Sequence, residues 1–262
     1  MRDTNAAGAG TTRFIILCAA RTGSTMLRHL INSHRDAACH GEVAAGALRS
    51  LVGVEFGRKY PIARRLEEIR SADLVGFVRD FVLYPGDLQT VGFKIKYDEL
   101  VLAEYEGLLQ ALIDDRSMHV VHLRRTNLLK RFLSQITALR SGVYFATDEA
   151  HVPPVAPFSL SPEECVENFE LIRQRETKFA TLFGGHPIYD ITYEEFVSPG
   201  SDSLAALQRF LGLERQKLTS PTVKMNPDAA RRLLENYDAL HRHFRNTPYS
   251  QYFEPVHEAG AG

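Results

Sequence analysis

The chain has 262 residues, 44% of them hydrophobic and 24% charged, enough to bury a substantial core. A formal net charge of −1 excludes the overall basic footprint of a nucleic-acid or membrane-surface protein and leaves room only for a local basic site. Cys18, Cys39 and Cys165 are too few and too scattered for a disulfide framework or a zinc-ligand pair, which fits a reducing compartment.

In chain order, residues 1–12 predict a disordered leader. Phe14 to Cys18 is a short apolar run of strand length, and Met26, Leu27, Leu30 and Ile31 then recur at helical spacing. Between them lies the polar turn Arg21-Thr22-Gly23-Ser24-Thr25. The apolar run is short for a signal peptide and enters an amphipathic helix directly, so it reads as the first strand of a cytoplasmic protein. No run approaches transmembrane length. After Asp36 to Glu42, which contains Cys39-His40-Gly41-Glu42, a weakly helical stretch from Ala44 to Leu66 is interrupted by Gly53, Gly57 and Pro61.

Val91 to Ile95 predicts a second strand, Glu99 to Asp114 a helix, and Met118 to Leu123 a third strand. The next helix carries Leu128, Leu129, Phe132, Leu133, Ile136 and Leu139 on one side, with Lys130 and Arg131 off that face. Residues 142–162 hold four prolines and suggest a loop that could cover a site. A helix from Pro162 to Phe183 is opened by Ser161. A fourth strand from Pro187 to Thr192 is closed by Tyr193-Glu194-Glu195-Phe196. Helices at Ser203–Leu211 and Pro227–Phe244 follow, the second capped by Asn226, and residues 255–262 should fray.

This alternation predicts an α/β fold: one domain over 13–254, with a central parallel sheet and helices on both faces. Ligands of such sheets sit at the carboxyl ends of the strands, where both the Arg21–Thr25 loop and the Arg124–Asn127 turn fall. A glycine and hydroxyls at a helix N-terminus offer backbone N–H groups to an anion, and the helix dipole favours the charge. The triphosphate-binding form of this loop reads G-x-x-x-x-G-K-[ST]. Here Cys18 replaces the first glycine and Ser24 the lysine, while Arg21 supplies a cation inside the loop. The bland alternative is a capped helix with Ser24 or Thr25 as its cap. Downstream, His122-Leu-Arg-Arg-Thr-Asn-Leu-Leu-Lys-Arg-Phe-Leu-Ser134 sets two arginines at a strand end and a serine in the following helix. Arginine suits a phosphate because its planar fork binds two oxygens and keeps its charge.

The stretch Ala20-Arg21-Thr22-Gly23-Ser24-Thr25-Met26-Leu27 resembles the phosphosulfate-binding loop of bacterial sulfotransferases. The arginine-to-serine segment resembles that family's 3′-phosphate signature, in the wording of Nod-factor and related carbohydrate sulfotransferases. Val91-Gly-Phe-Lys94-Ile is similar to the family's inner strand, Tyr193-Glu-Glu-Phe to its Tyr-Glu turn, Thr222-Val-Lys224-Met-Asn226-Pro to its late Lys-x-Asn-Pro loop, and Glu235-Asn-Tyr237 to its terminal helix. Cytosolic mammalian sulfotransferases space their arginine and serine more closely, so Arg124 and Arg125 both stay open for the phosphate, with Arg125 favoured.

The resemblance implies a P-loop-NTPase-like sulfotransferase fold. It implies in-line sulfuryl transfer from 3′-phosphoadenosine 5′-phosphosulfate to a hydroxyl of a carbohydrate, glycolipid or small alcohol, releasing adenosine 3′,5′-bisphosphate without a metal. Donor-binding residues would be Arg21, Thr22, Gly23, Ser24, Thr25, Arg125, Ser134 and Lys224. Arg21 and Lys94 would stabilise the leaving oxygen. Glu42 is the favoured general base, although a carboxylate of ordinary pKa near about 4.3 would need raising; His40 is its rival. An ATP-dependent kinase or NTPase, or an inactive nucleotide-binding relative, is the competing reading. Acceptor identity and oligomeric state are not written in the motifs.

Overall fold

The computed structural model describes residues 10–44, 60–144, 154–222 and 229–253. In chain order the elements are β1 (Thr12–Cys18), α1 (Ser24–Asn32), β2 (Ala37–Glu42), α2 (Tyr60–Ala72) and α3 (Leu74–Phe77), which runs into a π-helical turn at Val78–Val82. Next come β3 (Thr90–Lys96), α4 (Tyr97–Leu100), a 3₁₀ turn (Ala103–Tyr105), α5 (Glu106–Asp114), β4 (His119–Arg124) and α6 (Leu128–Ser141). The remainder is α7 (Pro162–Leu182), β5 (Ile188–Thr192), α8 (Tyr193–Val197), α9 (Ser203–Phe210), α10 (Ala229–Leu233), α11 (Tyr237–Phe244) and a 3₁₀ turn (Pro248–Tyr252).

The expected α/β architecture is present, as a parallel five-stranded sheet ordered β2-β3-β1-β4-β5 and flanked by helices. The four anticipated strands are all there, and β2 is a fifth. Its sequence, Ala-Ala-Cys-His-Gly-Glu, carries no β-branched residue, so local propensity gives no sign of it. It forms because it pairs with β3 and buries Ala37 and Cys39 beneath α1. From β1 the chain turns towards β2, whereas from β4 it turns towards β5. The carboxyl ends of β1 and β4 therefore flank the topological switch point, where open sheets bind ligands.

Register fixes which side chains share a face. Phe14, Ile16 and Cys18 of β1 stand opposite Gly92, Lys94 and Lys96 of β3, while Ile15 and Leu17 stand opposite Phe93 and Ile95. The first set packs with Leu27, Leu30 and Ile31 of α1 in one core that also takes Val121, Leu123, Ile191 and Leu207.

Chain contacts divide the molecule into two compact units. The first comprises residues 1–124 and 176–221 and holds the sheet; the second comprises 125–175 and 222–262. The second has its own aromatic core, in which Phe169 meets Phe244, Tyr249 and Tyr252, and Phe244 meets Phe253.

Three expected helices differ in detail. The Glu99–Asp114 helix is three pieces, because the Glu99 carboxylate accepts from the Lys96 backbone N–H at 2.9 Å and so caps a short helix at the strand end. The Pro227–Phe244 helix is broken after Leu233. There the Phe158 strand bonds to the Leu233 carbonyl and the Glu235 N–H, and the Asn236 amide holds the Leu160 backbone at both its groups. In α6 the expected faces shift: Arg131 is buried, reaching Gln135 and Asn168, while Leu139 is exposed and Arg140 lies over the Phe158 ring. Asn168, on α7, gives Arg131 a partner that the helical pattern of α6 alone cannot reveal. Asn226 lies outside the described residues, as do parts of the expected leader, the 142–162 loop and the Ala44–Leu66 stretch, and the 255–262 tail. Among the described residues, no helix is long and apolar enough to cross a membrane.

Candidate active site

The loop after β1 is built around two left-handed residues, Gly23 at φ 85° and Arg21 at φ 69°, the latter the one non-glycine residue with positive φ among those described. Neither Ser24 nor Thr25 caps α1; Gly23 occupies that position. A Cβ at Gly23 would stand 2.5 Å from the Tyr193 ring, so both conformation and space call for glycine. Thr22 is buried, and its hydroxyl donates to the Ala19 carbonyl at 2.9 Å, which closes the turn on itself. Its side chain therefore shapes the loop, leaving its backbone for a ligand. Ser24 is buried at the start of α1, and the first N–H groups of that helix have no intrahelical acceptor.

Thr25 connects this loop to the strands. Its hydroxyl oxygen accepts from the Lys94 ammonium at 3.1 Å. The same ammonium lies 3.0 Å from Glu42 Oε1, and Glu42 Oε2 accepts from Lys96 at 2.9 Å. Behind Lys96, Glu99 Oε1 stands at 3.4 Å. Lys94 is only 8% exposed, so it is not a strand lysine reaching solvent. Three of the anticipated residues, Thr25, Lys94 and Glu42, form one continuous contact chain beside the Arg21 loop.

A β-bulge arranges this. His40 pairs with Phe93 but Glu42 pairs with Lys94, leaving Gly41 as the extra residue. Paired residues share a face, so Glu42 lies on the Lys94 and α1 side and His40 on the opposite side. The two rivals for the base are thus separated by the sheet. Burial, with Arg28 adding to it, pulls the His40 imidazole down to about 4, although a hydrogen bond to the Val82 backbone works the other way. Burial pushes the Glu42 carboxyl up, but the ammonium groups of Lys94 and Lys96 outweigh it and hold the group below its usual value. The raised pKa that a base at this position would require is not what these surroundings produce. Lys96 is driven down by burial and up by Glu99 and Glu42, with a net rise, so it stays charged.

The other strand end holds a relay that is buried at Tyr97 and His122 and exposed at Asp190. Tyr97 O–H and His122 Nε2 are 2.6 Å apart, His122 Nδ1 and Asp190 Oδ1 are 3.0 Å apart, and Arg124 Nη2 lies 3.2 Å from the same carboxylate oxygen. Because a carboxylate only accepts, His122 carries its proton on Nδ1 and accepts from the tyrosine. This ties up Arg124. Arg125 and Ser134 belong to the second unit, Ser134 on α6 after its Asn127 cap. Lys224 lies outside the described residues.

Lys96, Glu99 and the Tyr97–His122–Asp190 relay were not anticipated. Lys96 had a signal: two residues beyond Lys94 on one strand, it must share its face. The relay had none, since Asp190 joins it only through the pairing of β4 with β5. As a donor set, helix N–H groups, a hydroxyl and a buried ammonium next to an arginine-bearing loop fit an anion with a negatively charged leaving group.

No family model matches the chain. It is 27% identical over 248 residues to nodulation protein H of Rhizobium tropici, covering 92% of each chain. It is 24% identical over 247 residues to nodulation protein H of Rhizobium meliloti strain 1021, covering 92% of this chain and 94% of that one. A sulfotransferase of Alicyclobacillus acidocaldarius superposes with a TM-score of 0.47 at 19% identity, over 91% of this chain and 97% of the other.

Proposed function

We infer that the chain is a sulfotransferase akin to the nodulation H proteins, with 3′-phosphoadenosine 5′-phosphosulfate as donor and a carbohydrate-type hydroxyl as acceptor. The observation that carries this reading is the Thr25–Lys94–Glu42 chain, in which an anion-binding loop without the NTPase lysine meets a buried cation and a carboxylate. The match to the nodulation proteins, over 92% of the chain, supports it along most of the sequence.

Backbone N–H groups of the Arg21–Thr25 loop hold the phosphosulfate end. Arg21 and Lys94 place positive charge where negative charge builds on the bridging oxygen as its bond to sulfur breaks. Glu42 accepts the proton that the acceptor hydroxyl gives up as its oxygen bonds to sulfur. Already ionised, it needs no prior deprotonation, and transfer to it becomes favourable as the attacking hydroxyl acidifies on bonding to sulfur. Arg125 and Ser134 take the 3′-phosphate, and Lys224 closes over the nucleotide; these three enter through their motifs alone.

Thermal unfolding tests the donor. Adenosine 3′,5′-bisphosphate should raise the melting temperature, and ATP with magnesium should not. The reverse pattern would return the loop to the kinase and NTPase class. Labelled donor incubated with a cell extract, followed by identification of the labelled product, names the acceptor.

A further inference from the structure

The donor reading makes Glu42 a base, yet two lysines hold its carboxylate on both oxygens. Those lysines are not equivalent. Lys96 stands between Glu42 and Glu99, at 2.9 Å and 3.4 Å, and makes no contact with the loop in the contacts described. Lys94 bridges outward, 3.0 Å from Glu42 Oε1 and 3.1 Å from Thr25 Oγ1 in the first turn of α1. Thr25 is a residue of the anion loop itself. Lys94 is thus placed where an arriving phosphate competes with Glu42 for its charge.

We propose that Lys94 transfers its ion pair from Glu42 to the anion bound by the Arg21–Thr25 loop, while Lys96, backed by Glu99, keeps Glu42 in position. Donor binding then frees Glu42 Oε1 for the acceptor hydroxyl and raises its proton affinity, so the base becomes effective only when sulfuryl donor is present. Before that, Glu42 Oε1 is closed by an ammonium. This inference rests on the proposed donor and adds an order to it: donor arrival prepares the base. The charged groups facing Glu42 are Lys94 and Lys96 on β3 and Arg28 on α1, whose own guanidinium is lowered by burial and raised by Cys39 and Glu42. Glu99 acts from behind Lys96, and His40 faces the other side of the sheet.

The test is a double-mutant cycle read as affinity for adenosine 3′,5′-bisphosphate by calorimetry, which needs no acceptor. Glu42→Gln removes the competitor and should tighten binding by about fivefold to tenfold, the scale of the net contribution of one ordinary hydrogen bond. In a Lys94→Met background the same change should give less than about a twofold gain, and in a Lys96→Met background the full gain should return. Glu42→Ala serves in the same cycle if the glutamine variant does not fold. A Glu42→Gln protein that binds no tighter overturns the transfer. So does a gain that survives Lys94→Met, because simple repulsion between Glu42 and the phosphate would then explain it. A wild-type chain that does not bind the bisphosphate at all overturns the donor reading together with the transfer.

Discussion

Alternation along a strand makes residues two apart share a face, so His40 and Glu42 look equivalent in the sequence. The Gly41 bulge breaks that equivalence and leaves only Glu42 beside Lys94 and Thr25. Glu42→Gln should therefore cut sulfuryl transfer at least about tenfold, the lower end of what a general base contributes. His40→Gln should hold turnover within about threefold. Rates measured with the acceptor identified from extract decide between them, and a larger loss at His40 would reverse the assignment. The sign of the pH dependence follows from the lysines. With its folded value held below the usual carboxylate value, Glu42 is ionised at neutrality, so the free enzyme should show no acid limb from it near neutral pH. The individual residues of the loop and Lys94 were legible because strand-to-helix punctuation and a strand lysine are local patterns. The bulge was not, because one extra residue is defined only against a partner strand.

At the level of elements, the β1–loop–α1 unit was readable almost whole, since its period changes from strand to helix across a glycine. What the sequence could not supply was the reason for that glycine. Gly23 is held both by its left-handed backbone and by the Tyr193 ring of α8, which approaches from another part of the chain. Gly23→Ala should cost about 1–3 kcal/mol in denaturant unfolding and weaken bisphosphate binding, because the loop must shift to clear the ring. Unchanged stability with unchanged affinity would mean that the loop tolerates a side chain there and that its strain has no role. Elements defined by distant pairing were the ones missed. Strand β2 lacks β-branched residues, and the break between α10 and α11 exists because residues 158–160 claim backbone and side-chain bonds there. The burial of Arg131 depends in the same way on Asn168, 37 residues away.

At the scale of the whole molecule, the sheet-bearing unit encloses polar groups whose titration should govern acid stability. The Cys18 and Cys39 thiols are pushed up by burial, the latter to about 12, so they stay protonated through the acid range. His40 and His122 behave oppositely. Burial lowers both, His40 to about 4, while Asp190 only partly offsets the effect at His122. An unfolded chain would protonate both imidazoles near about pH 6.5. Between about pH 6.5 and 4 the unfolded state therefore binds more protons than the folded state, and stability must fall as pH falls. The contribution is fully present above the unfolded value and is exhausted below the folded one. At about 1.4 kcal/mol per pH unit, His40 alone accounts for at most roughly 3.5 kcal/mol across this window. Glu42, lowered instead by its lysines, contributes stability that is lost as pH falls from the ordinary carboxylate value towards its folded one, so only the upper part of the window, above about pH 5, belongs to the histidines alone. Unfolding free energies measured every half unit should thus slope downward between about pH 6.5 and 4 in the wild type, and that slope should flatten in His40→Gln. The slope is the diagnostic quantity, because a glutamine at that buried site can lower stability uniformly without changing it. Parallel curves for the two proteins would show that His40 protonates as readily folded as unfolded, and would remove the sheet's burial of that imidazole as the source of acid sensitivity.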